Sequence, residues 1–181
     1  MIPDPEPTLV EYFHYTHWAN RTLFEVCATL DAALMEAAIP GSYGPIVQTC
    51  LHLLRAQASF LKRLRGVAPE PPFSWDARPT FAEVLAFEDV LAAQLLDVLH
   101  TVPATTNVHE EGQGWQFDYQ ARLIFMSVAY HGIAHRTDLT TFLNRAGVAL
   151  PELDVWAYQA AYPERFQARV IKMGQGDRAP S

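Results

Sequence analysis

The residues best suited to chemistry are two histidines and an aspartate on one predicted helix. His131, His135 and Asp138 lie within the largely apolar stretch VAYHGIAHRTDLTTFL, residues 128–143. At about 100° per residue the three side chains fall within roughly 60° of one another, and imidazoles four residues apart can approach a common point. Burying them without partners would be costly. A divalent cation such as Zn, Ni or Fe would reverse that cost, because neutral imidazole is one of its preferred ligands.

The spacing of the two histidines leaves other interpretations open. One imidazole could cap a backbone carbonyl while the other titrates at the surface. The zinc-protease motif H-E-x-x-H does not apply, because it needs a glutamate as general base and the residue at that position is Gly132. Arg136 points away from the histidine face of the helix and is predicted to form a structural salt bridge.

An open metal site needs a third protein ligand in addition to the two histidines. His100 ends a predicted helix, where a cation interacts with the helix dipole, and His109 lies in a polar segment that solvent should reach. The periodicity of the second helix predicts an exposed His52, although a ligand in an open groove would have the same small polar neighbours. His14 and His17 could line a substrate pocket, offer an alternative ligand or be solvated. At this stage the third ligand stays open.

Four long helices must position these side chains. Thr80 and Glu83 form a capping-box signature at the start of the third helix. Residues 105–119 are typical of a short hairpin, and a short helix is predicted after Pro151. The last long helix is apolar around nearly its whole circumference, which predicts a central, buried position. We therefore predict an all-α fold, a helical bundle whose long helices span residues 8–35, 45–65, 80–100 and 120–146.

The composition limits the classes of protein to which the chain can belong. Its 181 residues are 50% hydrophobic and 18% charged, which is typical of a globular protein, and we expect a single domain over residues 1–181. The core should cover about residues 8–160, with a flexible tail at 174–181. A formal net charge of −7 argues against nucleic acid as the principal partner.

The cysteines and the apolar segments bear on location. Cys27 and Cys50 form no CxxC motif, so we expect both to be reduced core residues, which favours a cytoplasmic protein. The proline-rich start lacks the pattern of a signal peptide. No apolar run approaches 20 residues, so we expect no membrane helix and no membrane partner.

Three segments follow one another along the chain: HWANRTLFEVCATL, GSYGPIVQTCLHLLRAQASFLKRL and VAYHGIAHRTDLTTFLNRAGVALPELD. Together they resemble the DinB family, the damage-inducible and YfiT-like metal-binding four-helix proteins. The resemblance covers about residues 8–160 and implies an up-down four-helix bundle. It also implies that His52, His131 and His135 bind one divalent metal ion, with water or substrate completing the shell.

The chain departs from the family pattern immediately after the second histidine of the helix. Many members read H-R-G-Q, whereas this chain reads His135, Arg136, Thr137, Asp138. The carboxylate of Asp138 could become a fourth ligand, orient bound water, or hold a histidine in its metal-binding tautomer. Asp138 is therefore a candidate catalytic residue that acts beside the metal or on its bound water.

The resemblance also indicates candidate functions. Activities in the DinB-like superfamily include transfers or isomerisations that use low-molecular-weight thiols such as bacillithiol, mycothiol or glutathione, so we expect a metal-dependent thiol S-transferase acting on a small molecule. The alternatives are a metal-dependent hydrolase, a non-catalytic stress-related protein that binds metal or ligand, and histidines that bind no metal. A homodimer formed through helix faces is also expected.

Overall fold

The helices and strands lie close to where the periodicity of the sequence predicts them. A computed structural model describes residues 5–39, 43–70, 73–74 and 76–167. The described helices are α1 (Pro7–Cys27), α2 (Ala32–Met35), α3 (Ile46–Arg65), α4 (Phe81–Thr101), α5 (Ala121–Arg145) and α6 (Val155–Ala161). The described strands are β1 (Ala38–Ile39), β2 (Gly44–Pro45), β3 (Asn107–Gly112) and β4 (Trp115–Gln120).

The fold is mostly helical, and its core lies between the four long helices. α1 packs against α4 and α5, and α3 packs against the same two helices. Their apolar faces form one continuous cluster of buried side chains, to which each long helix contributes. Its fully buried members include Phe24, Leu51, Leu54, Leu91 and Leu139. This packing holds α3 and α5, the two helices that carry the candidate ligands, beside each other.

Two predictions about helices needed correction. α1 ends at Cys27, because Asp31 accepts a hydrogen bond from the backbone N–H of Leu34 and begins the separate helix α2. α5 is not buried all round, since α1 and α3 cover only one side of it. Its outer face exposes a row of large apolar side chains, namely Leu123, Met126, Tyr130 and Ile133.

The other elements confirm their predictions. β3 and β4 form the antiparallel hairpin, and α6 follows Pro151. The short strands β1 and β2 also pair antiparallel, just before α3. No helix in the ranges described above is long and apolar enough to span a membrane. The predicted tail at 174–181 lies outside the described residues.

Thr80 and Glu83 form the predicted capping box of α4. The Thr80 hydroxyl accepts from the Glu83 backbone N–H, and the Glu83 carboxylate accepts from the Thr80 backbone N–H. Thr80→Ala should therefore lower the free energy of unfolding by about 1 kcal/mol, measured by urea denaturation. The matched control is Thr101→Ala at the other end of α4, which should cost less than about 0.5 kcal/mol. Equal effects of the two substitutions would contradict the assignment of the cap.

Candidate metal centre

Three histidines from two helices converge at one point of the structure. α3 supplies His52, and α5 supplies His131 and His135 from successive turns. One ring nitrogen from each lies within 4.8 Å of the other two. The Nε2 atoms of His52 and His131 are 3.0 Å apart, which is hydrogen-bond distance. The three imidazoles therefore meet across the contact between α3 and α5.

The environment of the cluster favours neutral imidazoles. Burial, together with the nearby His135 and Arg55, lowers the pKa of His52 to about 4. Burial likewise lowers the pKa of His131 to about 4, with smaller contributions from His135 and His52. At neutral pH both rings therefore keep a free nitrogen lone pair, which is the form that binds a metal ion.

Aromatic side chains enclose the histidine cluster on two sides. The ring of Tyr43, just before β2, stacks on His52 with centroids 3.4 Å apart and an interplanar angle of 11°. Phe60 of α3 meets the His131 ring edge to face at 6.1 Å. The sequence interpretation did not assign Tyr43 to the site. The only signal that could have found it is its place in the GSYG segment preceding the helix of His52.

Asp138 lies beside the cluster but does not belong to it. Its Oδ2 is 3.2 Å from Nδ1 of His135, whose side chain is only 12% exposed. Among the described residues, only the three histidines form the group with mutually close ligand atoms. A carboxylate facing Nδ1 favours the tautomer that leaves Nε2 free to bind a metal ion. Asp138 lies at ion-pair distance from His135, without a well-aligned hydrogen bond to its ring.

The three imidazoles fit a divalent cation. Zn–N bonds of about 2.0–2.1 Å in a tetrahedral site place ligand nitrogens about 3.3 Å apart. The 3.0 Å separation of the His52 and His131 nitrogens differs from this by only a few tenths of an ångström, and all three ligand nitrogens lie within 4.8 Å of one another. The cluster could therefore hold a metal ion such as Zn, Ni or Fe.

Arg136, next to His135, forms a buried polar chain rather than the predicted salt bridge. The residue is 4% exposed, and its Nη1 donates to Oδ1 of Asn20 at 2.7 Å. Asn20 in turn donates from Nδ2 to Oε1 of Glu88 at 3.1 Å. Burial raises the pKa of Glu88, which is only 1% exposed. The amide of Asn20 thus connects the guanidinium of α5 to the carboxylate of α4.

Gly132 stands where a zinc protease has its catalytic glutamate, and the structure gives its position another role. A Cβ atom at this residue would lie 2.9 Å from Nη1 of Arg136 and 3.4 Å from Cγ2 of Thr16. The residue therefore faces α1 and lets the Arg136 side chain pass over it. The rejection of zinc-protease chemistry agrees with this placement.

The other histidines discussed as possible third ligands lie outside the cluster. His14 and His17 line a separate pocket on α1 with Trp18, and His17 Nδ1 is 3.3 Å from Oε1 of Glu88. His109 lies on the exposed hairpin, where its Nδ1 is 2.7 Å from the Asp118 carboxylate. None of them joins the three-histidine group. Among the candidates for a third ligand, only His52 is brought to the pair on α5.

Both cysteines are buried and free, as expected for core residues. Burial raises the pKa of the Cys50 thiol, with a further contribution from Cys27. A buried thiol with a raised pKa is a poor nucleophile. The cysteines therefore offer no alternative reactive centre to the histidine cluster.

Comparison with known proteins agrees with the geometry. A crystal structure of a DinB-like protein from Bacillus cereus superposes on the chain with a TM-score of 0.63 and 14% identity. It covers 82% of this chain and 97% of its own, and at that identity it supports the fold alone. No curated protein matches the chain. The model of the DinB family matches residues 5–167, so the chain belongs to the DinB family.

Proposed function

We propose that this protein binds one divalent metal ion through His52, His131 and His135 and uses it for transfer of a low-molecular-weight thiol. The observation that carries the proposal is the convergence of three imidazole nitrogens within 4.8 Å. The cation would supply Lewis acidity that lowers the pKa of a coordinated thiol. Membership of a family of metal-binding proteins supports the assignment.

The side chains around the cluster have distinct parts in this proposal. The three imidazoles hold the cation, and Asp138 keeps His135 in the tautomer whose Nε2 lone pair is free. The carboxylate of Asp138 is partly exposed beside His135, so it can also accept the proton that an incoming thiol loses. Tyr43 and Phe60 pack against the rings of His52 and His131 and limit the access of water to them.

We further infer that the four long helices form the up-down bundle typical of this family. The packing of α1 and α3 against both α4 and α5 supports that arrangement. In such a bundle the site lies between facing helices, which is a common position for metal sites.

The experiment compares thiol conjugation by metal-loaded and metal-free protein. The full chain, purified without a histidine tag, is loaded with zinc and assayed with monochlorobimane and glutathione, bacillithiol or mycothiol in turn. We expect conjugation with at least one thiol, loss of activity in His131→Ala, and retention of activity in the control His109→Ala. One equivalent of bound zinc without acceleration for any of the three thiols would instead support a non-catalytic metal-binding protein.

A further inference from the structure

An apolar groove of about 450 Å³ lies directly beside the histidine cluster, on the outer side of α5. His131 lines both the groove and the metal centre, so a molecule bound at the cluster can extend into the groove. The other lining residues are Phe60, Met126, Ser127 and Tyr130. None of the lining side chains carries a formal charge when His131 is neutral.

The side chains bordering the groove are unusually exposed for their size and polarity. Tyr130 is 77% exposed and Met126 is 67% exposed, although both belong to a long helix of the core. Large apolar groups that remain in water beside a polar centre are typical of a binding surface. Arg63 lies over the Phe60 ring but is paired with Glu110 at 2.9 Å, so its charge is already compensated.

We propose that this groove binds an aromatic or alkyl group of a ligand whose sulfur atom reaches the cation at the cluster. The proposal rests on the proposed function and specifies the substrate class of the same site. The volume is in the range of small-molecule sites, and the lining provides aromatic rings and a thioether, which favour contact with another ring. Phe60, Met126 and Tyr130 are then the residues that determine specificity.

The first test compares two thiols that differ in their apolar group. Binding of phenylmethanethiol and 2-mercaptoethanol to the zinc-loaded protein is measured by titration calorimetry. We expect the phenyl compound to bind at least about tenfold more tightly, because burial of an aromatic side chain has at least that effect. Phe60→Ala and Tyr130→Ala should each reduce this preference toward equality. Leu123→Ala, on the same exposed row but outside the groove, is the matched control and should retain it.

The second test examines the groove without any metal. Met126 is one of four methionines, so its methyl signal in the ¹³C-methyl-labelled protein can be assigned with the variant Met126→Leu. Benzyl alcohol added to metal-free protein should shift this signal through its ring current, and Tyr130→Ala should abolish the shift. A signal that moves with protein concentration instead would indicate that a second copy of the chain covers the groove, and would overturn the proposal.

The two tests separate the groove from the metal centre. Zinc binding without any preference for the phenyl compound would overturn the groove proposal and leave the proposed function intact. Failure to bind zinc, together with a benzyl alcohol shift at Met126, would overturn the proposed function and leave the apolar site standing.

Discussion

His131→Ala should weaken zinc binding by more than about 100-fold in a titration with a competing chelator. Loss of a residue that only orients a ligand already costs about 10–100-fold in metal affinity, and His131 is a candidate ligand itself. Its Nε2 lies 3.0 Å from that of His52, so its removal leaves two imidazoles where three converge. His52→Ala should have an effect of similar size, although it lies on a different helix.

The matched control for His131→Ala is His109→Ala on the exposed hairpin, which should bind zinc as the wild type does. The zinc affinity of Asp138→Asn should lie between those of His131→Ala and His109→Ala, since this substitution changes only the partner of His135. Saturating zinc should also raise the melting temperature of the wild type and of His109→Ala, because a ligand that binds only the folded state stabilises it. Equal zinc affinity in the wild type, His131→Ala and His52→Ala would rule out the three-histidine site.

Arg136→Met should lower the free energy of unfolding by about 1–3 kcal/mol, the scale for leaving a buried polar group without its hydrogen-bond partner. Methionine keeps most of the aliphatic volume but removes a positive charge near the buried Glu88, whose contacts with His17 and Asn20 remain. It also removes the donor to Asn20. Urea denaturation at neutral pH provides the measurement.

Arg21→Met is the control for the loss of an arginine with good hydrogen-bond geometry. The Arg21 guanidinium binds both oxygens of Asp89, at 2.7 and 2.9 Å, but it does so on the surface of α1. The substitution should therefore lower the free energy of unfolding by less than about 1 kcal/mol. If Arg136→Met costs no more than this control, the buried chain does not contribute to stability as we infer.

The pH dependence of the stability of Arg136→Met tests whether the buried carboxylate of Glu88 contributes to the loss of stability. Burial raises the pKa of Glu88 above 4.5, so its contribution to stability is present below that pH and is lost as the pH rises through the folded-state pKa. Removal of the positive charge of Arg136 should raise this pKa further. The difference in stability between variant and wild type should therefore be smallest at about pH 4 and increase toward about pH 7. A further Glu88→Gln substitution should remove this dependence.

The sequence was sufficient to place the two ligand candidates on α5, because four-residue spacing on a helix needs no tertiary information. It could not place His52. The residues around His52 on its helix predict exposure, whereas its ring is covered by Tyr43 and approached by His135. These contacts come from a turn and from a separate helix, so no periodicity within α3 reports them. Only the family resemblance selected His52 from the available histidines.

The buried polar chain that contains Arg136 also had a signal in the sequence. Glu88 lies on the buried stripe of α4, at helical spacing from Val84, Leu91 and Leu95. A carboxylate at such a position needs a polar partner inside the protein. The identity of that partner depends on which helices are neighbours in space. The intervening amide of Asn20 could not be inferred from any single helix.

The close passage of Arg136 over Gly132 makes these two positions depend on each other during evolution. A methyl group at 132 would meet the guanidinium at 2.9 Å, so a lineage that acquires alanine there must shorten or redirect the side chain four residues later. The order of the two changes matters, because loss of the arginine first would remove the donor to the buried Asn20 and a positive charge near Glu88. Epistasis of this kind would keep a small residue between the two histidines of α5 for reasons unrelated to catalysis.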